Sequence, residues 1–144
     1  MPHLRQKYDI KARDFIKAGE ASIHLKSTLK MIGFDHEIIQ RVSICSYEAE
    51  MNVVMYGSDG SLSLTLSENT IIIDVEDDGP GIENIDLAIK EGYSTAPDEY
   101  REMGFGAGMG LPNIKAQSDS LNIRSQKGEG TCLKIGFNVN ENEG

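Results

Sequence analysis

The sequence is poor in cysteine, in basic residues and in long apolar runs, and each shortage excludes a class of protein. Its 144 residues include two cysteines, Cys45 and Cys132, and no CxxC pair. Two isolated cysteines do not build a disulfide framework, and the three histidines show no zinc-site spacing with them. We therefore predict two reduced core thiols and no zinc site.

Basic residues are outnumbered, with 14 Lys and Arg against 23 Asp and Glu and a net charge of −9. Nucleic acids and anionic membranes attract basic surfaces, so we expect neither as a partner. There is no apolar run near the length of a membrane span, and the start MPHLRQKYDI does not resemble a signal peptide. A cytoplasmic location is expected.

The pattern of apolar residues predicts one domain over residues 1–144, without repeats or low-complexity linkers. A helix from Glu20 ends at Gly33, and a second helix, capped by Asp35, runs to about Tyr56. Shorter helices are predicted at 84–90 and 111–120, with a loop at 91–103. Strands are predicted at 7–15, 61–67, 71–77, 121–126 and 131–139. This order predicts an α+β two-layer sandwich, a mostly antiparallel mixed sheet with helices on one face.

Glu48 and Asn52 lie one turn apart on the second predicted helix and share a face. The carbonyl oxygen of Asn is a hard ligand for Mg²⁺, and a neighbouring carboxylate can accept a proton from an attacking hydroxyl. Most such pairs are ordinary solvated helix surface, so the pair predicts a site only together with other motifs.

The motif Asp77-Asp78-Gly79-Pro80-Gly81 follows an apolar strand. A carboxylate at the end of a strand can accept a hydrogen bond from an exocyclic amine, and glycines let the backbone approach a flat ring. A plain acidic turn has the same composition, so both interpretations stay open.

The run GFGAGMG directly precedes a predicted helix that begins with Leu111. Glycine at alternate positions exposes backbone N–H groups, and a helix start adds positive partial charge, which is typical of phosphate binding. The run is neither a Walker A loop nor a dinucleotide fingerprint, and a flexible hinge is the alternative. The glycines of the GFGAGMG run are Gly104, Gly106, Gly108 and Gly110.

The pair Gly130-Thr131 precedes the last predicted strand and, taken alone, predicts no particular function.

In this order, the four motifs resemble the GHKL (Bergerat) ATP-binding fold shared by gyrase, Hsp90, histidine kinases and MutL. The segments YEAEMN, EDDGPGI, EGYSTAPDEYREMGFGAGMGLPNI and GEGT are similar to those of bacterial anti-sigma-factor serine kinases and related switch kinases. The resemblance extends from about Asp14 to Val139.

The resemblance implies ATP and Mg²⁺ as ligands, with Glu48 as general base and Asn52 as metal ligand. Asp77 would bind the adenine amine, supported by a hydroxyl or water at Thr131. Residues 92–103 would form a lid that closes over the γ-phosphate. Gly79 and Gly81 would lie at the ring, and the phosphates would bind at Gly104, Gly106, Gly108, Gly110 and Leu111.

The resemblance also implies a protein serine/threonine kinase that phosphorylates a small antagonist protein and switches to a sigma factor or another regulator, in some relatives as a homodimer. A non-catalytic, nucleotide-dependent binding module and a histidine-kinase-like ATPase domain are the alternatives. About 34 residues precede the second helix, too few for a phosphoacceptor hairpin. Glu48 favours the kinase, because a pure binding module needs no base.

Overall fold

The computed structural model describes residues 4–56, 59–79, 110–125 and 130–139. These residues contain five strands and three helices. In chain order they are β1 (Leu4–Ile10), α1 (Glu20–Ile32), α2 (His36–Tyr56), β2 (Gly60–Leu66), β3 (Thr70–Asp77), α3 (Gly110–Gln117), β4 (Ser120–Ser125) and β5 (Thr131–Asn138).

The five strands form one sheet in the order β1-β2-β3-β5-β4, and every pairing among the described strands is antiparallel. The predicted hairpin of β2 and β3 is confirmed, with Leu66 opposite Ile71 at its turn. β5 pairs with β3 on one side and with β4 on the other, so the last strand of the chain is an interior strand of the sheet.

Alternation along the strands gives the sheet one apolar face, because successive side chains point to opposite sides. The three central strands align their apolar residues in rows, for example Leu64 with Ile73 and Ile135. All three helices pack on this face, which confirms the predicted α+β sandwich. The buried residues on the apolar face of β2, β3 and β5 are Leu62, Leu64, Leu66, Ile71, Ile73, Val75, Leu133, Ile135 and Phe137.

Helix α2 lies between α1 and α3 and crosses the sheet. The apolar stripe that the sequence predicted for it is buried throughout. Gly33 ends α1 in a left-handed conformation (φ 100°) and donates its N–H to the Leu29 carbonyl, as predicted for a C-terminal stop. The buried apolar stripe of α2 consists of Ile38, Ile39, Val42, Cys45, Ala49 and Val53.

The predicted position of β1 was wrong, because the strand occupies Leu4–Ile10 rather than residues 7–15. A polar residue, Gln6, stands opposite the core residue Leu64 and interrupts the apolar alternation. Its Oε1 accepts hydrogen bonds from the Tyr8 hydroxyl at 2.7 Å and from Thr28 Oγ1 at 3.1 Å. A search for alternating apolar residues does not detect a strand in which a hydrogen-bonded polar side chain takes the place of an apolar one.

The prediction of two core cysteines is confirmed for one of them. Cys45 is buried, as predicted, but Cys132 is only partly buried, because its register places it on the sheet face away from the helices. The predicted helix at 84–90 and loop at 91–103 lie outside the described residues. Within the described part of the chain, no helix is long and apolar enough to cross a membrane.

Candidate functional site

The structure brings three of the predicted site residues together where α2 meets the start of α3. Glu48 and Asn52 project from α2 toward Gly110, the first residue of α3. A Cβ built on Gly110 would lie 3.1 Å from Asn52 Oδ1 and 3.4 Å from Glu48 Oε2. The bare Cα of Gly110 therefore lets a carboxamide and a carboxylate approach the start of α3 more closely than a side chain would allow.

This geometry fits the ligands that the resemblance implies. A carboxamide oxygen suits Mg²⁺, and the first N–H groups of a helix suit a phosphate oxygen. A side chain at Gly110 would fill the space between them. Asn52 is thus the residue able to hold the metal, and the backbone at Gly110 and Leu111 is able to hold phosphate. The Leu111 side chain itself is buried in the core, so any contact of this residue with a phosphate would come from its backbone.

The surroundings of Glu48 shift the pKa of its carboxyl group. Burial raises its pKa, and a hydrogen bond from the Asn113 side chain opposes that rise. A carboxyl with a raised pKa is a better proton acceptor than an exposed one when it is ionised. Asn113 was missed by sequence reasoning, although its position one turn after Gly110 could have indicated it.

Asp77 ends β3 beside the same helix. It pairs with Gly60 of β2, and a Cβ on Gly60 would lie 3.1 Å from both Asp77 Cβ and Val53 Cγ1. Val53 directly follows Asn52 on α2. The Asp77 side chain therefore points to the helical face of the sheet, close to the C-terminal half of α2.

The Asp77 carboxylate is oriented by its own turn. Its Oδ1 accepts a 2.8 Å hydrogen bond from the Gly79 N–H. Burial raises the pKa of Asp77, the bond from Gly79 lowers it, and the charge of Asp78 raises it further. An oriented, partly buried carboxylate is suited to accept a hydrogen bond from an amine of a bound base.

Thr131 lies opposite Asp77 in the β3–β5 register. Its Oγ1 is 3.0 Å from Ser125 Oγ, and Ser125 also donates to the Gly130 carbonyl at 3.0 Å. This hydroxyl pair extends the polar end of the sheet beyond Asp77. Ser125 was missed because its link to Thr131 depends on the pairing of β4 with β5.

Four of the predicted glycines, Gly81, Gly104, Gly106 and Gly108, lie outside the described residues, as does the predicted lid at 92–103. The roles given to Glu48, Asn52, Asp77, Gly79, Gly110, Leu111 and Thr131 remain predictions about ligands, although the structure places Glu48, Asn52 and Gly110 in contact range.

Comparison with known proteins gives the same fold. Residues 32–141 match the family model of histidine kinase-, DNA gyrase B- and HSP90-like ATPases. The chain is 30% identical to an anti-sigma F factor of Clostridium acetobutylicum over 67% of this chain and 68% of that protein. It is 28% identical to the serine/threonine-protein kinase RsbT of Bacillus subtilis over 76% and 79%, respectively.

Two other matches cover less of the matched protein. An anti-sigma F factor of Clostridium kluyveri is 35% identical over 60% of this chain and 61% of its own length. The histidine kinase domain of a blue-light activated histidine kinase from Erythrobacter litoralis EL346 has a TM-score of 0.50 at 17% identity, over 85% of this chain and 61% of that chain. The chain thus spans about three fifths of these two proteins, and the second is similar in fold alone.

The family model covers well over half of the chain, and the helix pair and antiparallel sheet agree with it. The resemblance noted in the sequence is therefore confirmed. The chain belongs to the GHKL family, the histidine kinase-, DNA gyrase B- and HSP90-like ATPases, and its relatives include anti-sigma F factors and the kinase RsbT.

Proposed function

We propose that this chain binds Mg-ATP between α2 and the start of α3 and transfers a phosphoryl group to a serine or threonine of a small antagonist protein. The observation that carries the proposal is the convergence at Gly110. A carboxylate and a carboxamide lie within 3.4 Å of a single glycine Cβ position at a helix start. Metal, base and phosphate ligands would meet there.

Each residue then has a chemical role. When bound, Mg-ATP supplies the phosphoryl group. Asn52 Oδ1 would hold the metal, and the N–H groups at the start of α3 would bind phosphate oxygens. Glu48 would accept the proton of the incoming hydroxyl, which requires it to lie within hydrogen-bond reach of that hydroxyl.

The base of the nucleotide would bind at the end of the sheet. Asp77 would accept a hydrogen bond from the exocyclic amine of adenine, and Thr131 would support it directly or through water. Both residues lie on the helical side of the sheet, and Asp77 is close to Val53 of α2. One helix thus connects the predicted metal end with the predicted adenine end.

The names of the relatives favour a protein kinase of the anti-sigma type over the other GHKL activities. The partners would be an antagonist protein with a phosphorylatable serine or threonine and a sigma factor or similar regulator. A nucleotide-gated binding module without transfer is the second candidate. Glu48 distinguishes the two, because gated binding needs the metal ligand and the adenine anchor but no base.

The proposal is tested by incubating the protein with γ-labelled ATP, Mg²⁺ and small antagonist domains from the same host. Glu48→Gln keeps the shape of the side chain and removes the base. We expect it to lower transfer at least about 100-fold, since general-base catalysis contributes roughly that much or more. The dissociation constant for ATP should stay within a few-fold of the wild-type value.

Glu68→Gln is the matched control, because Glu68 is exposed in the turn between β2 and β3. It should transfer phosphate at the wild-type rate. Equal labelling by the wild type and Glu48→Gln would contradict the base role. ATP binding without transfer to any antagonist domain would favour the nucleotide-gated binding module.

A further inference from the structure

A row of three polar side chains crosses the end of the sheet. Asp77 of β3 stands opposite Thr131 of β5, and Thr131 stands opposite Ser125 of β4. Two residues further into each strand, the side chain belongs to the hydrophobic core or packs against it. Because successive side chains alternate between the two faces, the row lies on the same face as the core. It forms the polar end of an otherwise apolar surface of β3, β5 and β4.

The hydrogen bonds of Ser125 determine which hydroxyl is the donor in this row. The Ser125 hydroxyl donates to the Gly130 carbonyl at 3.0 Å, and a carbonyl oxygen can only accept. A hydroxyl has a single proton, so Thr131 is the donor in the 3.0 Å contact between Ser125 Oγ and Thr131 Oγ1. The Thr131 hydroxyl therefore directs its proton at Ser125 and offers only lone pairs to any further partner.

The neighbour of Thr131 on β3 is also an acceptor. An ionised carboxylate has no donor, and Asp77 Oδ1 already accepts the Gly79 N–H at 2.8 Å. Directly opposite residues of antiparallel strands have their Cβ atoms about 4.5–5.5 Å apart. Neither Asp77 nor Thr131 is fully buried, so both remain accessible to a ligand. The end of the sheet thus presents two acceptors side by side.

We propose that Ser125 is a positioning residue for nucleotide specificity, which holds Thr131 as an acceptor so that the site selects a purine with an amine at C6 over one with a carbonyl. The inference rests on the proposed function, in which this end of the sheet binds the base. An exocyclic amine has two hydrogens, one for Asp77 and one for Thr131, directly or through water. A carbonyl oxygen in its place would face two acceptors. Without Ser125, the Thr131 hydroxyl could turn and donate to that carbonyl.

The affinities for two nucleotides test this role. ATP carries an amine at C6 of its purine, and inosine triphosphate carries a carbonyl there. Ser125→Ala removes the acceptor of the Thr131 proton, and Ser125→Thr keeps a hydroxyl at the same position. Asn122→Ala is the control, because Asn122 is exposed on the same strand. For these three variants and the wild type, calorimetry with Mg²⁺ gives the dissociation constants of both nucleotides.

We expect the ratio of the inosine triphosphate to the ATP dissociation constant to fall about tenfold in Ser125→Ala, about the effect of one hydrogen bond. Ser125→Thr and Asn122→Ala should keep the ratio within about twofold of the wild-type value. If Ser125 only anchors the Gly130 carbonyl, its loss would weaken the binding of both nucleotides equally. An unchanged ratio in Ser125→Ala, or an equal fall in Ser125→Thr, would overturn the inference.

A measurement without nucleotide separates this inference from the proposed function. In protein with ¹³C-methyl-labelled threonine, the Thr131 methyl resonance is assigned by its loss in Thr131→Ser. Its three-bond couplings should show a single χ1 rotamer in the wild type and averaging between rotamers in Ser125→Ala. If ATP binds and these couplings stay the same in Ser125→Ala, only the inference fails. If neither nucleotide binds the wild type, the proposed function fails, and the specificity role of Ser125 fails with it.

Discussion

The Ser22 hydroxyl donates a buried 2.6 Å hydrogen bond to Oε1 of Glu50, so that a side chain of α2 caps the first turn of α1. Glu50 also accepts the backbone N–H groups of Gly19, Ala21 and Ser22 at 3.0–3.3 Å. Gly19 at the N-cap has no side chain to do this, and the first N–H groups of a helix need acceptors. Glu50 is about 200° around α2 from Glu48, given 3.6 residues per turn.

Glu50 therefore fixes the rotation of α2 from the side opposite the candidate site. Glu50→Ala should lower the free energy of unfolding by about 2–4 kcal/mol, because it leaves several buried donors without an acceptor. Glu50→Gln should rescue only part of this, since one of its terminal atoms is a donor facing other donors. Urea unfolding measures both.

The exposed Glu68→Ala serves as control and should stay within about 0.5 kcal/mol of the wild type. A Glu50→Ala variant as stable as this control would refute the capping role of Glu50.

Asp77 should oppose folding at neutral pH. Its pKa is raised in the folded state, chiefly by burial, so protonated Asp77 is favoured by folding and ionised Asp77 is not. The protonated form of Asp77 therefore favours the folded state relative to the ionised form. This contribution to the free energy of unfolding is complete at low pH and is lost as the pH rises through the folded-state pKa. Asp77→Asn should therefore be more stable than the wild type at pH 7, by less than about 1 kcal/mol because water screens a half-buried carboxylate.

The difference between Asp77→Asn and the wild type should shrink as the pH falls through the raised folded-state pKa and then through the ordinary Asp pKa of about 3.9, because the carboxyl becomes protonated in both states. Thermal unfolding between pH 3 and pH 8 measures it. Asp77→Asn should also bind ATP more weakly, because a neutral acceptor replaces a charged one. A constant stability difference across this pH range would contradict the raised pKa.

Two glycines with positive φ separate steric overlap from backbone strain. Gly130 (φ 83°) has no room for a Cβ, which would collide with the Asp77 carbonyl oxygen, whereas nothing lies within 4 Å of a Cβ on Gly33 (φ 100°). Gly33→Ala should cost only the left-handed conformation, about 1–2 kcal/mol. Gly130→Ala should cost at least about 1 kcal/mol more in urea unfolding, since overlap adds to strain.

Gly130→Ala should also weaken ATP binding, because relieving the overlap moves the end of β3 and with it Asp77. Gly33→Ala, at the C-terminus of α1, should bind ATP as the wild type does. Equal losses of stability in the two variants would show that the Gly130–Asp77 approach is not tight.

Gly110→Ala separates binding from folding. A methyl group there would press on Asn52 Oδ1 and Glu48 Oε2. Alanine is a better helix former than glycine, so folding stability should stay within about 0.5 kcal/mol or rise. Affinity for Mg-ATP should fall roughly tenfold or more, about 1.4 kcal/mol. A stable Gly110→Ala variant with wild-type affinity for Mg-ATP would show that the nucleotide does not bind next to Gly110.

Local patterns predicted the elements better than their arrangement. The strict alternation of β2 and the apolar stripe of α2 are properties of short segments, and both predictions held. The insertion of β5 between β3 and β4 depends on contacts between distant segments, which no short pattern encodes.

The site follows the same rule. Glu48 and Asn52 were visible from their spacing, and Gly110 from its glycine run. Asn113 and Ser125 were missed, because the residues next to them come from α2 and β5 through packing and register.

The central claim is that Asn52 and the start of α3 hold Mg-ATP, and calorimetry tests it most directly. Titrating ATP in the presence of Mg²⁺ should give saturable binding to the wild type and to Asn122→Ala, an exposed position on β4. Affinity should fall at least about tenfold in Asn52→Ala or when EDTA removes the metal, a loss of about 1.4 kcal/mol. Failure of both ATP and ADP to bind the wild type at millimolar concentration with Mg²⁺ would contradict the account.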